Sequence, residues 1–320
     1  PQDGPVVVRA GFELRDVNEI DDEAEVFEFT GVMTLQWKDP RQAFDPAVEG
    51  VGEKVFQGGY QVNEISTGWY PQVVLVNEAG MYEKSGVVLR VRPDGTSTLV
   101  ETLTASAESE MDMRRFPFDR HRLEAIFVVL GFGRDEVRLE VAPGHPVHRE
   151  DQVSIPQWGI RGSGLSVRDQ PAPGAAPGDV SSAFVLGADV QRHAFYSIRL
   201  VAFPLFVIVL LSFSVFWMDK ASLGDRLSVS FVGILTGVAF QITISEHLPA
   251  IAYVTLIHGF LSLSFVTMCA TVVVNLRVSV LDKRGESARG DRIDGRCRWA
   301  FPLAYFTLIV AVFLIAFLFY

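Results

Sequence analysis

The sequence predicts an all-β, immunoglobulin-like sandwich followed by a four-helix transmembrane bundle. Three observations lead there. The first 195 or so residues hold short alternating segments punctuated by turn residues, with no long apolar run. Four later windows, at about 198–218, 223–247, 252–281 and 297–319, reach the roughly 20 apolar residues that a bilayer crossing needs. Charge divides at the same place: residues 1–190 hold 17 Lys and Arg against 31 Asp and Glu, net −14, and residues 191–320 hold 11 against 7, net +4. The expected domains are therefore 1–195 and 196–320.

The β elements follow in order. From Glu25 to Trp37 the chain alternates: Phe27, Phe29, Met33, Leu35 and Trp37 share one face, and Glu28, Thr30, Val32, Thr34 and Gln36 the other. That is a half-buried strand. Asn77–Gly86, with Tyr82, reads as a loop. Val87–Val91 and Thr96–Leu103 flank Arg92-Pro93-Asp94-Gly95, in which Pro presets φ and Gly accepts φ > 0. Arg122–Leu130, Val137–Val141, Gln157–Val167 and Ala183–Gln191 read as further strands, the last two joined by a long exposed Pro- and Gly-rich loop at Asp169–Asp179.

The acidic balance argues against a nucleic-acid partner and for a face that gathers cations. Nothing reads as an enzyme: no nucleophile elbow, zincin helix or matched carboxylate pair appears. His145 and His148 lie near Glu150 and Asp151, but Pro143, Gly144 and Pro146 make this a loop with no fixed coordination geometry, so no metal and no cofactor is expected. The only cysteines, Cys269 and Cys297, are in or beside the membrane windows, so no disulfide can be drawn in the β domain. No signal peptide is visible at Pro1, and a secreted domain needs one, so the reading is a mature or trimmed chain.

From the end of the third window to the start of the fourth lie Arg277, Lys283, Arg284, Arg289, Arg292, Arg296 and Arg298, whereas Glu246–Ala252 has no Lys or Arg. The positive-inside rule puts the basic connection in the cytoplasm and the N-terminal domain outside it, in a multi-pass protein of the cell (inner) membrane.

The second window sorts its residues by face. Stepping by four and then three gives Ser228, Val232, Leu235, Ala239, Ile242 and Glu246, preceded by Asp225 and Arg226. These side chains share one edge of a helix. The edge is hydroxylic at one end, branched and apolar in the middle, and acidic at the other. Two readings compete: copies around an axis making a pore with an apolar constriction and carboxylate rings, or a packing helix with small residues at its contacts.

From Ser109 to Leu123 the chain reads Ser-Glu-Met-Asp-Met-Arg-Arg-Phe-Pro-Phe-Asp-Arg-His-Arg-Leu. This resembles the signature loop of the pentameric ligand-gated ion channels, the Cys-loop receptor superfamily. Animal members bracket that loop with two cysteines; here Ser109 and Leu123 stand in those places, as is typical of the prokaryotic branch. Met111, Met113 and Phe116-Pro117-x-Asp119 match. So do Trp37-x-Asp39, Trp69-x-Pro71, Pro93-Asp94-Gly95, Pro204, Leu248-Pro249 and Ala300-Phe301-Pro302, in order along the whole chain.

The resemblance implies a homopentamer in a lipid bilayer around a central pore lined by the second helix. Leu235 matches the hydrophobic gate, with Ala239 and Ile242 above it, and Ser228 sits at the narrow end. Asp225 and Arg226 match the acidic-then-basic pair of cation-selective members, and Glu246 would add an outer acidic ring, so permeant monovalent cations are expected. Asp225 as a simple helix cap is compatible with this. Coupling between domains is expected to run through Asp119 and Arg192, with Phe116 and Pro117. Asp22, in the acidic cluster Asp21, Asp22, Glu23 and Glu25, matches a hairpin loop facing Leu248-Pro249; a solvated acid cluster is the alternative.

Departures bear on the ligand. Amine receptors of the family bind ammonium in an aromatic box, yet the matched positions here are Val32, Val76 and Leu130, with only Phe132 and Phe184 nearby. The expected stimulus is an unknown non-amine small molecule, pH, or both. Tyr82 marks a second candidate small-molecule site. His121, His193, His247 and His258, or crowded carboxylates, are the candidate proton sensors. The competing function is a membrane-anchored oligomeric β-sandwich sensor without conduction.

Overall fold

The computed structural model describes residues 4–66, 68–144, 155–173, 178–218, 223–245 and 253–319. It divides into two compact units, Pro1–Met111 with Arg120–Gln191, and Asp112–Asp119 with Arg192–Tyr320. The His145–Asp151 segment lies outside the described residues, as do Glu246, His247, Leu248 and Pro249.

Among the described residues, the first unit is built from ten strands: β1 (Val6–Asp21), β2 (Val26–Lys38), β3 (Lys54–Gln57), β4 (Val73–Leu75), β5 (Glu78–Val91), β6 (Thr96–Glu108), β7 (Arg120–Val129), β8 (Val137–Val141), β9 (Trp158–Pro171) and β10 (Val180–Arg192). They form a six-stranded sheet, β3-β5-β6-β2-β1-β8, and a four-stranded sheet, β4-β7-β10-β9. Pairing of β1 with β2 is antiparallel and with β8 parallel. The expected face of β2 is the buried one: Phe27, Phe29, Met33, Leu35 and Trp37 are all in the core. Gly31 continues that face between Phe29 and Met33. A Cβ there would run into the Phe12 ring, so only a hydrogen leaves room. Phe12 in turn lies 5.9 Å from both Phe29 and Phe127, which ties the two sheets together.

Two connections differ from expectation. Asn77–Gly86 is not a loop, because β5 begins at Glu78 and pairs with β6. Register shifts between Glu78 and Tyr82 and between Lys84 and Gly86 break the alternation that would have marked it. Likewise β9 runs on to Pro171, so the connection to β10 is shorter than Asp169–Asp179.

Trp37-x-Asp39 and Pro93-Asp94-Gly95 meet in space. Asp39 N–H donates to the Gly95 carbonyl at 3.0 Å, and Phe44 N–H donates to Pro93 O at 3.1 Å. Gly95 takes φ +78°, where a side chain would be strained and would also strike the Asp39 carbonyl.

Among the described residues of the second unit, four helices are long and apolar enough to cross a membrane: Phe195–Trp217, Leu223–Ser245, Leu256–Lys283 and Ser287–Leu318. The first has, one turn in, a π-helical turn at Ile198–Ala202, just before Pro204. Proline lacks an N–H and crowds the preceding turn, and the wider turn absorbs both defects. The fourth helix starts about ten residues before the expected 297, because the polar stretch from Ser287 to Arg298 is itself helical. Buried polar groups in the bundle bond across helices: the Ser264 and Tyr305 hydroxyls are 2.8 Å apart, and Asn275 Nδ2 donates to Ser230 Oγ at 3.1 Å.

Candidate functional site

The second helix separates its two faces cleanly. Arg226, Ser230, Gly237 and Ile244 are buried against the rest of the unit. Gly233 and Gly237 are the small residues that pack. A Cβ on Gly233 would hit Ser212 Oγ, and one on Gly237 would come within 2.7 Å of Met268 Cε. Asp225, Ser228, Val232, Leu235, Ala239 and Ile242 all lie on the opposite, exposed edge, Leu235 being 69% exposed. Small residues at helix contacts are therefore present in this helix, but not on the stripe. The stripe is the face that intrasubunit packing leaves over.

The chemistry along that edge is graded. Ser228 Oγ donates to the Gly224 carbonyl at 2.8 Å, which uses its proton and leaves oxygen lone pairs outward, as a cation requires. Val232, Leu235 and Ile242 offer no hydrogen-bonding group. Thr236 and Thr243, to the side, satisfy their hydroxyls on Val232 O and Ala239 O. Asp225 stands exposed in the first turn, where a carboxylate also complements the helix dipole. Arg226, the next residue, turns inward and pairs with Asp294 of the fourth helix, Nη2 to Oδ1 at 2.6 Å. The sequence reading missed Asp294. Its signal was Arg226 itself, a cation on an apolar helix that needs a buried partner.

The second cluster is centred on Asp119 and Arg192, both buried in the second unit. Arg192 Nε donates to both carboxylate oxygens of Asp119, at 3.0 and 3.1 Å, and the Arg192 N–H donates to the Asp119 carbonyl at 3.2 Å. The guanidinium lies 4.8 Å from the centre of the Phe116 ring. Phe116 and Pro117 are joined by a cis peptide. Phe116 and Met113 pack with Val201, Leu205, Ile244, Ile257 and Leu261 of the first three helices. Met113 N–H also donates to Tyr253 Oη at 2.9 Å. Asp22 is half-buried in the β1–β2 turn, where Asp21 Oδ1 caps Glu23 N and Ala24 N.

Of the ligand candidates, Val76 and Leu130 are exposed at the ends of strand pairings and Val32 is half-buried. Phe132 lines a cavity of about 690 Å³ with Gly131, Arg134, Glu136, Asp179 and Ser181. Phe184 does not join it. It is 1% exposed and packed into the core near Phe127, because β10 turns that side chain between the sheets. A second cavity, about 510 Å³, is lined by Tyr70, Val73, Tyr82, Lys84 and Glu101. There Lys84 Nζ pairs with Glu101 Oε1 at 2.9 Å. Burial, with Glu101 and Glu78 nearby, pushes the Tyr82 phenol well above its ordinary value. Of the histidines, His121 is buried with its ring 5.5 Å from that of Trp158, His193 is exposed, and His258 Nδ1 is 2.7 Å from Thr255 Oγ1.

Comparison with known proteins agrees in both parts of the chain. The family model for the neurotransmitter-gated ion-channel ligand binding domain matches residues 1–168, and that for the neurotransmitter-gated ion-channel transmembrane region matches residues 201–291. A proton-gated ion channel of Gloeobacter violaceus is 28% identical over 318 residues, covering 99% of this chain and 84% of the relative. The gamma-aminobutyric acid receptor subunit rho-3 of Homo sapiens is 23% identical over 319 residues, covering 94% of this chain and 66% of the subunit. The rho-1 subunit of Mus musculus is 24% identical over 309 residues, covering 93% and 62%. The chain thus spans somewhat less than two thirds of these animal subunits.

Proposed function

This chain belongs to the neurotransmitter-gated ion-channel family, and we propose that it is a gated, cation-selective pore built from five copies of itself around the exposed edge of the second helix. One observation carries the reading. The edge that intrasubunit packing leaves bare is also the edge on which a carboxylate, a hydroxyl and an apolar girdle follow one another, from Asp225 through Ser228 to Leu235 and Ile242. A charged group at membrane depth is costly unless it faces water, and a shared aqueous axis supplies that water. Side chains at Leu235 would then form the constriction, which dewets when the helices lean inward. Asp225 carboxylates would set the sign of the permeant ion. Glu246 is proposed as the outer acidic ring, and Leu248-Pro249 with Asp22 as part of the coupling region. The basic residues from Arg277 to Arg298, at the end of the third helix and the start of the fourth, support a cytoplasmic placement for that end and an outside placement for the sandwich.

The stimulus is proposed to be protons, a small non-amine molecule, or both. Aliphatic residues at Val32, Val76 and Leu130 argue against an ammonium cage. The proton-gated relative supports pH as the variable. The Phe132 and Tyr82 cavities are the candidate small-molecule sites. Recording from purified protein in planar bilayers tests the whole reading, with pH stepped and NaCl diluted on one side. A pH-dependent current reversing near the Na⁺ equilibrium potential is expected. Reversal near the Cl⁻ potential overturns the selectivity, and silence across a broad pH and ligand screen favours a non-conducting sensor.

A further inference from the structure

Asp225 and Arg226 are neighbours on the helix, yet Asp225 is exposed and Arg226 is buried. Arg226 is 2% exposed and cannot lose its proton. It therefore places a fixed positive charge on the residue next to the carboxylate that should attract cations. The N-terminal end of the helix adds a partial positive charge of its own. Left alone, one guanidinium per subunit would cancel one Asp225 per subunit, and the inner mouth would lose its sign.

Asp294 supplies the missing charge. Its side chain is 4% exposed and accepts from Arg226 Nη2 at 2.6 Å. The approach is built into the fourth helix one turn earlier. Gly290 lies against Val278 of the third helix, where even a Cβ would already be in contact at 3.5 Å. That proximity lets a short aspartate reach the second helix. On the same side Asn275, one turn before Val278, holds Ser230, one turn after Arg226. Buried among apolar helices, a charge is screened far less than one in water, so its field reaches neighbouring groups.

We propose that Asp294 of the fourth helix is a selectivity-determining residue: it neutralises Arg226 from behind and leaves Asp225 alone to define the field at the inner mouth. It touches no permeating ion and acts through Arg226. The proposal rests on the cation-selective reading above, and it separates that selectivity from the pore-lining residues alone.

The test measures reversal potentials of the full chain in bilayers under an NaCl gradient, for wild type, D294N, D294E and R226Q/D294N. D294N should lower the Na⁺/Cl⁻ permeability ratio roughly tenfold, and D294E should restore it. The double variant, which lacks the ion pair but carries no uncompensated charge, should also recover the wild-type ratio. A merely structural anchor predicts the opposite for the double variant. A wild-type ratio in D294N, or a ratio in R226Q/D294N as low as in D294N, overturns the proposal. If D294N does not assemble, R226Q should hold or raise the ratio, and a fall overturns it. Should wild type itself favour Cl⁻, the cation-selective reading fails first, a result distinct from unchanged selectivity in D294N.

Discussion

Arg192 and Asp119 form a buried ion pair in which one guanidinium nitrogen serves both carboxylate oxygens, at 3.0 and 3.1 Å, with side chains 4% and 0% exposed. Their separation in sequence is 73 residues, so the pair fastens the signature loop to the end of β10, just before the first helix. Neutralising either side leaves a buried charge uncompensated, at a cost of about 3–5 kcal/mol. D119N and R192Q should each destabilise the protein by that order and abolish gated current. The double variant should lose much less than the sum of the two in a urea titration. Additive losses would mean that the two side chains do not act as a unit.

Leu235 is expected to hold the closed pore. Exchanging it for Thr withdraws about 1–2 kcal/mol of apolar burial per subunit and introduces a hydroxyl that water can bridge. L235T should open at a weaker stimulus, its midpoint shifted roughly tenfold or more toward activation. Dose–response curves of steady current give the answer, and an unmoved midpoint removes Leu235 from the gate.

Removing the Asp225 carboxylate should shift the reversal potential toward that of Cl⁻ without abolishing conduction. D225N is expected to reduce the Na⁺/Cl⁻ permeability ratio by roughly an order of magnitude, most strongly at low ionic strength, where screening is weakest. If Asp225 only capped its helix, D225N would leave the cap intact and the ratio would stay put.

Asp39 offers a pH-dependent stability test. The hydrogen bonds from Arg41, side chain and backbone, hold its carboxyl below the ordinary value of 3.8. A folded-state value below the unfolded one stabilises the sandwich above the unfolded value. That stabilisation fades as the pH falls through the folded one. D39N should therefore lower the thermal midpoint near neutral pH and converge with wild type as the pH falls through the folded-state value. A gap that does not narrow in acid would assign the loss to packing instead of charge.

Much of this was legible in the chain because it rests on local periodicity. The stripe from Ser228 to Ile242 and the alternation from Phe27 to Trp37 emerge from spacing alone, and both are faces that the fold separates. What stayed hidden depends on partners far away in sequence. Glu78–Gly86 carries Gly80, Gly86 and several charges in place of alternation, and becomes a strand through pairing with β6 across two register shifts. Phe184 looked like a site residue until β10 put it between the sheets. Asp294 lies 68 residues from Arg226, and nothing in its own neighbourhood marks it as the answer to that buried cation.

The most direct trial is cysteine-accessibility scanning of the second helix during recording, with Cys269 and Cys297 replaced beforehand. A hydrophilic thiol reagent should alter current at Ser228, Val232, Leu235, Ala239 and Ile242, and leave Ser230, Gly237 and Ile244 unaffected. Modification that ignores this division, or that falls on the second set, contradicts a pore lined by the exposed edge.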